Sequence, residues 1–164
     1  MAVEYVCCFT GHRKIEARHE YCIVDILDKT IEKLISSGVT VFRVGGAMGF
    51  DTVVALKIIE KKRLYPHIAL HLCLPCKNQT ERWKDYEKKV YEYVMGQADD
   101  VNYVAEKYYK GCMMARNRRL ADGADFCVSY CGSEEGGTAY TVNYANSQKL
   151  KIINIFKLCE EAIK

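Results

Sequence analysis

Proline is nearly absent, with 2 residues in 164, and tryptophan occurs once. A chain this poor in proline is not a proline-rich disordered segment, and its 49% hydrophobic residues supply the apolar content that a packed core requires. Neither sign of charge dominates. The 24 Lys and Arg against 21 Asp and Glu leave a net charge of +3, well short of the basic balance expected of a dedicated nucleic-acid binder. No window approaches the roughly 18 consecutive apolar residues of a membrane span, so no membrane partner is expected. The first apolar run is broken by Glu4 and passes directly into Thr10, Gly11, His12 and Arg13, which is not the form of a secretory leader. Cysteine is abundant by contrast. Nine is an odd number, and without a leader these residues read as reduced thiols in a cytoplasm.

The chain alternates short β-branched or cysteine-rich apolar runs with longer stretches of helical period, the pattern of a β-α repeat that builds a parallel sheet. Strands are expected at residues 5–9, 39–44, 68–74, 100–104, 126–130 and 152–156. Several are apolar on both faces, as a sheet covered on both sides requires. Ile23, Ile26, Leu27, Ile31, Leu34 and Ile35 give the clearest helix, ended by Gly38. A second helix over residues 52–62 is expected to pack deeply, and Trp83, Tyr86, Val90 and Val94 mark the core stripe of a third. Residues 113–121 and 138–147 complete the set. With no linker or internal repeat, residues 1–164 are expected to form one Rossmann-like α/β/α domain with a mostly parallel sheet of about six strands.

In such a sheet all strand-to-helix loops emerge at one edge, where ligands bind. Those loops are residues 10–13, 45–51, 75–83, 106–116 and 131–138. In the second, Gly45, Gly46, Ala47, Gly49, Phe50 and Asp51 join a strand to a helix; glycines there let a phosphate approach the backbone and helix N–H groups. It lacks the spacing of a dinucleotide fingerprint and the lysine of a P-loop. A tight turn with Asp51 capping the helix is the plain alternative. Gly136, Gly137 and Thr138 repeat the arrangement, with Thr138 as cap or phosphate donor.

Arg116 near the start of a helix opposes the helix dipole, and its side chain tilts back toward the crevice, so an anion would relieve the conflict. Asn117 beside it is a candidate base or ribose contact. Thr10, Gly11, His12 and Arg13 follow the first strand, where His12 and Arg13 are placed to hold a phosphate or carboxylate. Cys73 and Cys76 form a C-x-x-C without a second ligand pair, so buried packing is expected there and no metal. Glu134 and Glu135 are candidates for a general base. Lys61, Lys62 and Arg63 read as a solvated face, and Tyr108, Tyr109 and Tyr140 near the edge default to packing.

With these loops in place the sequence resembles the YpsA-like family of the SLOG superfamily, which is similar to the cytokinin-activating LOG proteins and to the Rossmann-like domain of the DNA-processing protein DprA. The resemblance spans nearly the whole chain. Its marks are Thr10 to Arg13, Gly45 to Asp51, Pro75 to Trp83 with Gln79, Cys112 to Asp125 with Arg116, Asn117 and Arg118, and Gly136 to Thr138. It implies a nucleotide or nucleotide-sugar type ligand held by the two glycine loops, with Gln79 and Trp83 in the ligand set and no cofactor. It also implies a homodimer, since LOG-like relatives commonly pair. In the LOG branch Arg116 corresponds to an active-site arginine, and the Thr of the second glycine loop is followed by a Glu pair. Here Ala139, Tyr140 and Thr141 stand in that stretch, while Glu134 and Glu135 precede the glycines.

Three functions follow as expectations. The first is a nucleotide-derivative binding protein, a sensor or adaptor for a nucleotide-sugar or ADP-ribose-like ligand. The second is a hydrolase of the N-glycosidic bond of nucleoside monophosphates, with Arg116 on the phosphate and Glu134 or Glu135 as base. The third is DprA-like binding of single-stranded DNA through Arg116, Arg118, Arg119 and nearby tyrosines.

Overall fold

Six parallel strands make one sheet in the computed structural model, which describes residues 4–164. They are β1 (Tyr5–Gly11), β2 (Val39–Val44), β3 (Ala69–Cys76), β4 (Asp100–Ala105), β5 (Phe126–Tyr130) and β6 (Lys151–Asn154), in the spatial order β4-β3-β2-β1-β5-β6. The helices are α1 (Ile23–Ser36), α2 (Phe50–Leu64), α3 (Asp85–Gln97), α4 (Cys112–Ala121), α5 (Gly137–Ser147) and α6 (Ile155–Ala162), and a 3-10 turn at Ala17–His19 precedes α1.

The chain steps outward from β1 to β4, then returns past β1 to β5 and β6. Right-handed crossovers put the helices of the outward path on one face and those of the return path on the other. The packing of the crossover helices agrees: α1 lies against α2, α2 against α3, and α4 against α5, while α6, which follows the last strand, crosses back to pack on α1. The result is the Rossmann-like three-layer arrangement expected from the alternating runs.

Alternate residues of β1 serve opposite layers. Cys7 and Phe9 join the larger apolar cluster with Leu27, Ile31, Phe42, Val54 and Ile58, while Cys8 joins a smaller one with Leu120, Ala121, Cys127 and Ala145. Each fully buried large side chain contributes roughly 1.5–3 kcal/mol, so a one-residue slip of β1, which would exchange both sets, is strongly disfavoured. Cys73 and Cys76 both lie inside β3, where burial pushes their thiols up.

Four expectations need correction. The run at 152–156 does not continue as a strand: β6 stops at Asn154, whose Oδ1 accepts from the Phe156 N–H at 3.1 Å and starts α6. Trp83 precedes α3, and of that helix's expected stripe only Val94 is buried, because the helix stands off α2 and leaves a cavity. Leu56 of α2 faces outward. Lys61 is buried rather than solvated, with its Nζ 2.8 Å from both Asp28 and Glu32 of α1.

Candidate functional site

The strand order reverses between β1 and β5, and a crevice opens at the carboxyl ends of strands where an order reverses. A cavity of about 320 Å³ lies there. Thr10, Gly11, His12 and Arg13 bound it at the end of β1, Ala47 and Asp51 at the start of α2, Met113, Met114, Arg116 and Asn117 along α4, and Gly137 and Thr138 at the start of α5. Segments far apart in the chain therefore meet at one point, because a parallel sheet delivers every strand end to the same edge.

Arg116 sits in the second turn of α4 and is only 6% exposed. Its Nη1 donates to the Gly45 carbonyl, and its Nε donates to Asn117 Oδ1 at 2.9 Å. Burial lowers its pKa, opposed by the carboxylate of Asp51, and a guanidinium stays charged in a protein. Asp51 is equally buried. It accepts from the Ala47 N–H at 3.1 Å through Oδ2, while Oδ1 has no partner within the protein. Burial raises its pKa to about 6 against the pull of Arg116. The N-cap of α2 is Gly49, so Asp51 braces the preceding loop from inside the first turn and does not cap the helix.

Two glycines explain how the first two loops come so close. Gly49 has φ of +78°, and a Cβ there would lie 2.2 Å from the Arg13 carbonyl oxygen. A Cβ on Gly11 would lie 2.3 Å from the ring of Phe50. Phe50 is fully buried and stacks on Tyr130 with centroids 5.6 Å apart. Its N–H donates to the His12 carbonyl at 3.1 Å, and the ring is a packing element behind the loop. His12 lines the cavity, but its Nε2 accepts from the Gly132 N–H at 2.9 Å and desolvation lowers its pKa, which makes it a neutral brace between the β1 and β5 loops.

At the far wall α5 begins after Gly136, whose φ is +100° and which carries no side-chain cap. Thr138 therefore does not cap the helix. The first N–H groups of a helix have no intrahelical acceptor, and Gly137 and Thr138 bring this end to the cavity that Arg116 lines. A cation and a helix N-terminus facing one space suit an anion.

Other expected residues lie elsewhere. Gly45 meets Arg116 through its carbonyl without lining the cavity, and Gly46 lines a second one. Gln79 Nε2 donates to the Gly46 carbonyl at 3.4 Å and to Tyr91 Oη at 3.1 Å, which supports the loop from behind. Trp83 lines a second, apolar cavity of about 230 Å³ between α2 and α3. Glu134 lines a third, beside α6, and Glu135 is exposed in the same loop. Met113 and Met114 were not anticipated, since nothing in their spacing marks them apart from core methionines. His19 is completely buried, with Nδ1 2.6 Å from Tyr130 Oη, and it locks the turn before α1 onto β5.

Fold and crevice together define a Rossmann-like α/β protein with a polar pocket at its topological switch point. The YpsA family model, described as the YspA SLOG family, matches residues 7–158, and the chain belongs to that family. A UPF0398 protein of Halalkalibacterium halodurans is 26% identical over 154 residues, covering 88% of this chain and 82% of the relative. Among solved structures, DNA processing protein A of Helicobacter pylori, described for its single-stranded DNA binding mode, superposes with a TM-score of 0.64 at 16% identity over 97% of this chain and 73% of that one. DprA of Streptococcus pneumoniae gives 0.66 at 15% identity, and the chain spans 56% of its length. At these identities the likeness is one of fold. No helix among the described residues is long and apolar enough to cross a membrane.

Proposed function

We propose that this protein binds a nucleotide or nucleotide derivative, such as a nucleotide-sugar or ADP-ribose-like molecule, and serves as a sensor or adaptor. One observation carries the reading: buried Arg116 and the uncapped start of α5 face a single cavity, beside a carboxylate oxygen of Asp51 that has no partner. Arginine and helix N–H groups hold a phosphate. A thermal-shift panel of nucleotides, NAD and ADP-ribose is the test. A ligand at 100 times its dissociation constant stabilises the fold by about 2.7 kcal/mol, and silence from every compound at millimolar concentration would overturn the reading.

Hydrolysis of the N-glycosidic bond is less well supported, because Glu134 faces a different cavity and Asp51 is the one carboxylate among the described residues lining the pocket. Single-stranded DNA is the second reading. It is favoured by the likeness to the Helicobacter pylori protein and by exposed Tyr108 and Tyr109 between exposed Lys107 and Lys110, just before α4. Aromatics interleaved with lysines suit a single strand. Anisotropy of a labelled oligothymidylate should then rise on mixing and fall steeply with salt.

A further inference from the structure

The apolar cavity between α2 and α3 adjoins the polar one. Ala47 and Asp51 line both, so the two spaces share a wall made by the glycine loop. Their chemistry differs sharply. The second chamber is walled by Val53, Val90 and Val94 and by the rings of Trp83 and Tyr91, which meet edge to face at 5.4 Å and 79°. Its carboxylate on the α3 side, Glu87, is already engaged, accepting from the Lys84 N–H at 3.1 Å. In the shared wall, Asp51 is 6% exposed and its Oδ1 has no hydrogen-bond partner.

We infer that this chamber takes the planar heterocycle of the ligand whose phosphate lies against Arg116. The inference rests on the proposed nucleotide-type ligand and deepens it. At about 230 Å³ the chamber is below the roughly 300–1,000 Å³ of pockets that enclose whole drug-sized ligands, which suits one ring system and not an entire nucleotide. An aromatic face and an aromatic edge with aliphatic walls favour a flat π-system, and stacking on a side chain is tolerant of which base is bound. The division of labour is physically economical: charge is met by charge where backbone N–H groups point outward, and the apolar ring enters the space that water occupies least well.

Trp83 is the single tryptophan of the chain, so its emission reports this chamber alone. The probes are adenosine 5′-monophosphate and ribose 5-phosphate, which differ by the heterocycle. Both should raise the unfolding temperature of the whole protein, and only the adenosine compound should change Trp83 emission, saturating over the same concentrations as its thermal shift. The variant Val90→Phe, which fills the chamber, should weaken the adenosine compound about tenfold while leaving ribose 5-phosphate within about twofold. Val53→Phe from the opposite wall is the second variant in case Val90→Phe does not fold. Thermal shifts by both probes with no change in emission, or equal weakening of both by the filled chamber, would overturn the placement of the heterocycle and leave the anion pocket intact. No thermal shift with either probe, nor with NAD or ADP-ribose, would instead overturn the nucleotide reading itself.

Discussion

Arg116 and Asp51 both close on the bare α-carbon of Gly45 without forming an ion pair. A Cβ built on Gly45 would lie 2.8 Å from Arg116 Nη1 and 3.0 Å from Asp51 Oδ2. Each buried group makes its hydrogen bonds elsewhere: the arginine to the Gly45 carbonyl and Asn117, the carboxylate to the Ala47 N–H. Opposite charges buried close together but not bridged are unfavourable for the empty fold. They suit a site in which an anion completes the charge of Arg116.

That cost should be visible as a pH dependence. The pKa of Asp51 is raised from 3.8 to about 6 in the folded protein, so the native state holds the proton more tightly than the unfolded chain. The stability contributed by this group is therefore complete below the unfolded value and lost as pH rises through the folded one, by about 3 kcal/mol in all. Asp51→Asn removes the titration and keeps an oxygen for the Ala47 N–H. Urea unfolding should show the variant gaining on the parent chain between about pH 4 and pH 8, by up to about 3 kcal/mol. A difference that stays flat across that range would show that burial does not strain the carboxylate.

The two glycine loops should respond unequally to alanine. At Gly136 a Cβ meets nothing within 4 Å, and only the backbone, at φ of +100° and ψ of −178°, opposes it, a penalty of about 1–3 kcal/mol. At Gly49 the same kind of strain is joined by a collision with the Arg13 carbonyl, which is backbone and cannot swing away. Gly49→Ala should cost at least about 3 kcal/mol, adding overpacking to strain. Melting curves of the two variants compare them directly, and equal losses would mean that the Gly49 contact relaxes freely.

The alternation of strands and helices was legible because a sheet covered on both faces needs apolar runs of one kind and amphipathic helices another. Convergence of the loops then followed from parallel topology. What sequence could not reveal was direction. Phe50 stands among glycines and invites a role in binding, yet its ring fills the space that Gly11 leaves empty. The strand run ending at Phe156 is cut at Asn154 by bonds to a distant segment: its side chain accepts from the Cys131 N–H at 3.2 Å and donates to the Cys131 carbonyl at 2.9 Å. Lys61 sits in a basic run that reads as solvated, and only the fold sets Asp28 and Glu32 of α1 beside it. Arg116 was found through its conflict with the helix dipole, although the structure gives it a carbonyl and an amide as partners.

Replacing Arg116 separates folding from binding. Arg116→Lys keeps the charge, but one ammonium cannot reproduce a planar fork that serves both Gly45 and Asn117. Leaving the buried Gly45 carbonyl short of a donor should cost about 1–3 kcal/mol of stability. On the proposed reading the affinity for nucleoside phosphates should fall at least about tenfold, because an ammonium is a point charge without the fork that matches a phosphate. Calorimetric unfolding measures the first effect and titration with the nucleotide the second. A variant that is destabilised yet binds normally would remove Arg116 from the site and leave it a structural residue.

The carboxylates before the second glycine loop offer the converse experiment. Glu134 faces the cavity beside α6, and Glu135, in the same exposed loop, is absent from the residues around the Arg116 pocket. A general base must come within hydrogen-bond reach of the water it activates, roughly 2.6–3.2 Å or one bridging water away. Neither residue lines the pocket, so neither is placed to meet that condition there. The double change Glu134→Gln and Glu135→Gln should therefore leave the thermal response to adenosine 5′-monophosphate unaltered, and chromatography should find no free adenine with either chain after prolonged incubation. Release of adenine by the parent protein that vanishes in the double variant would reverse this conclusion, since it would mean that the loop swings inward when ligand binds and that the protein cleaves what it holds.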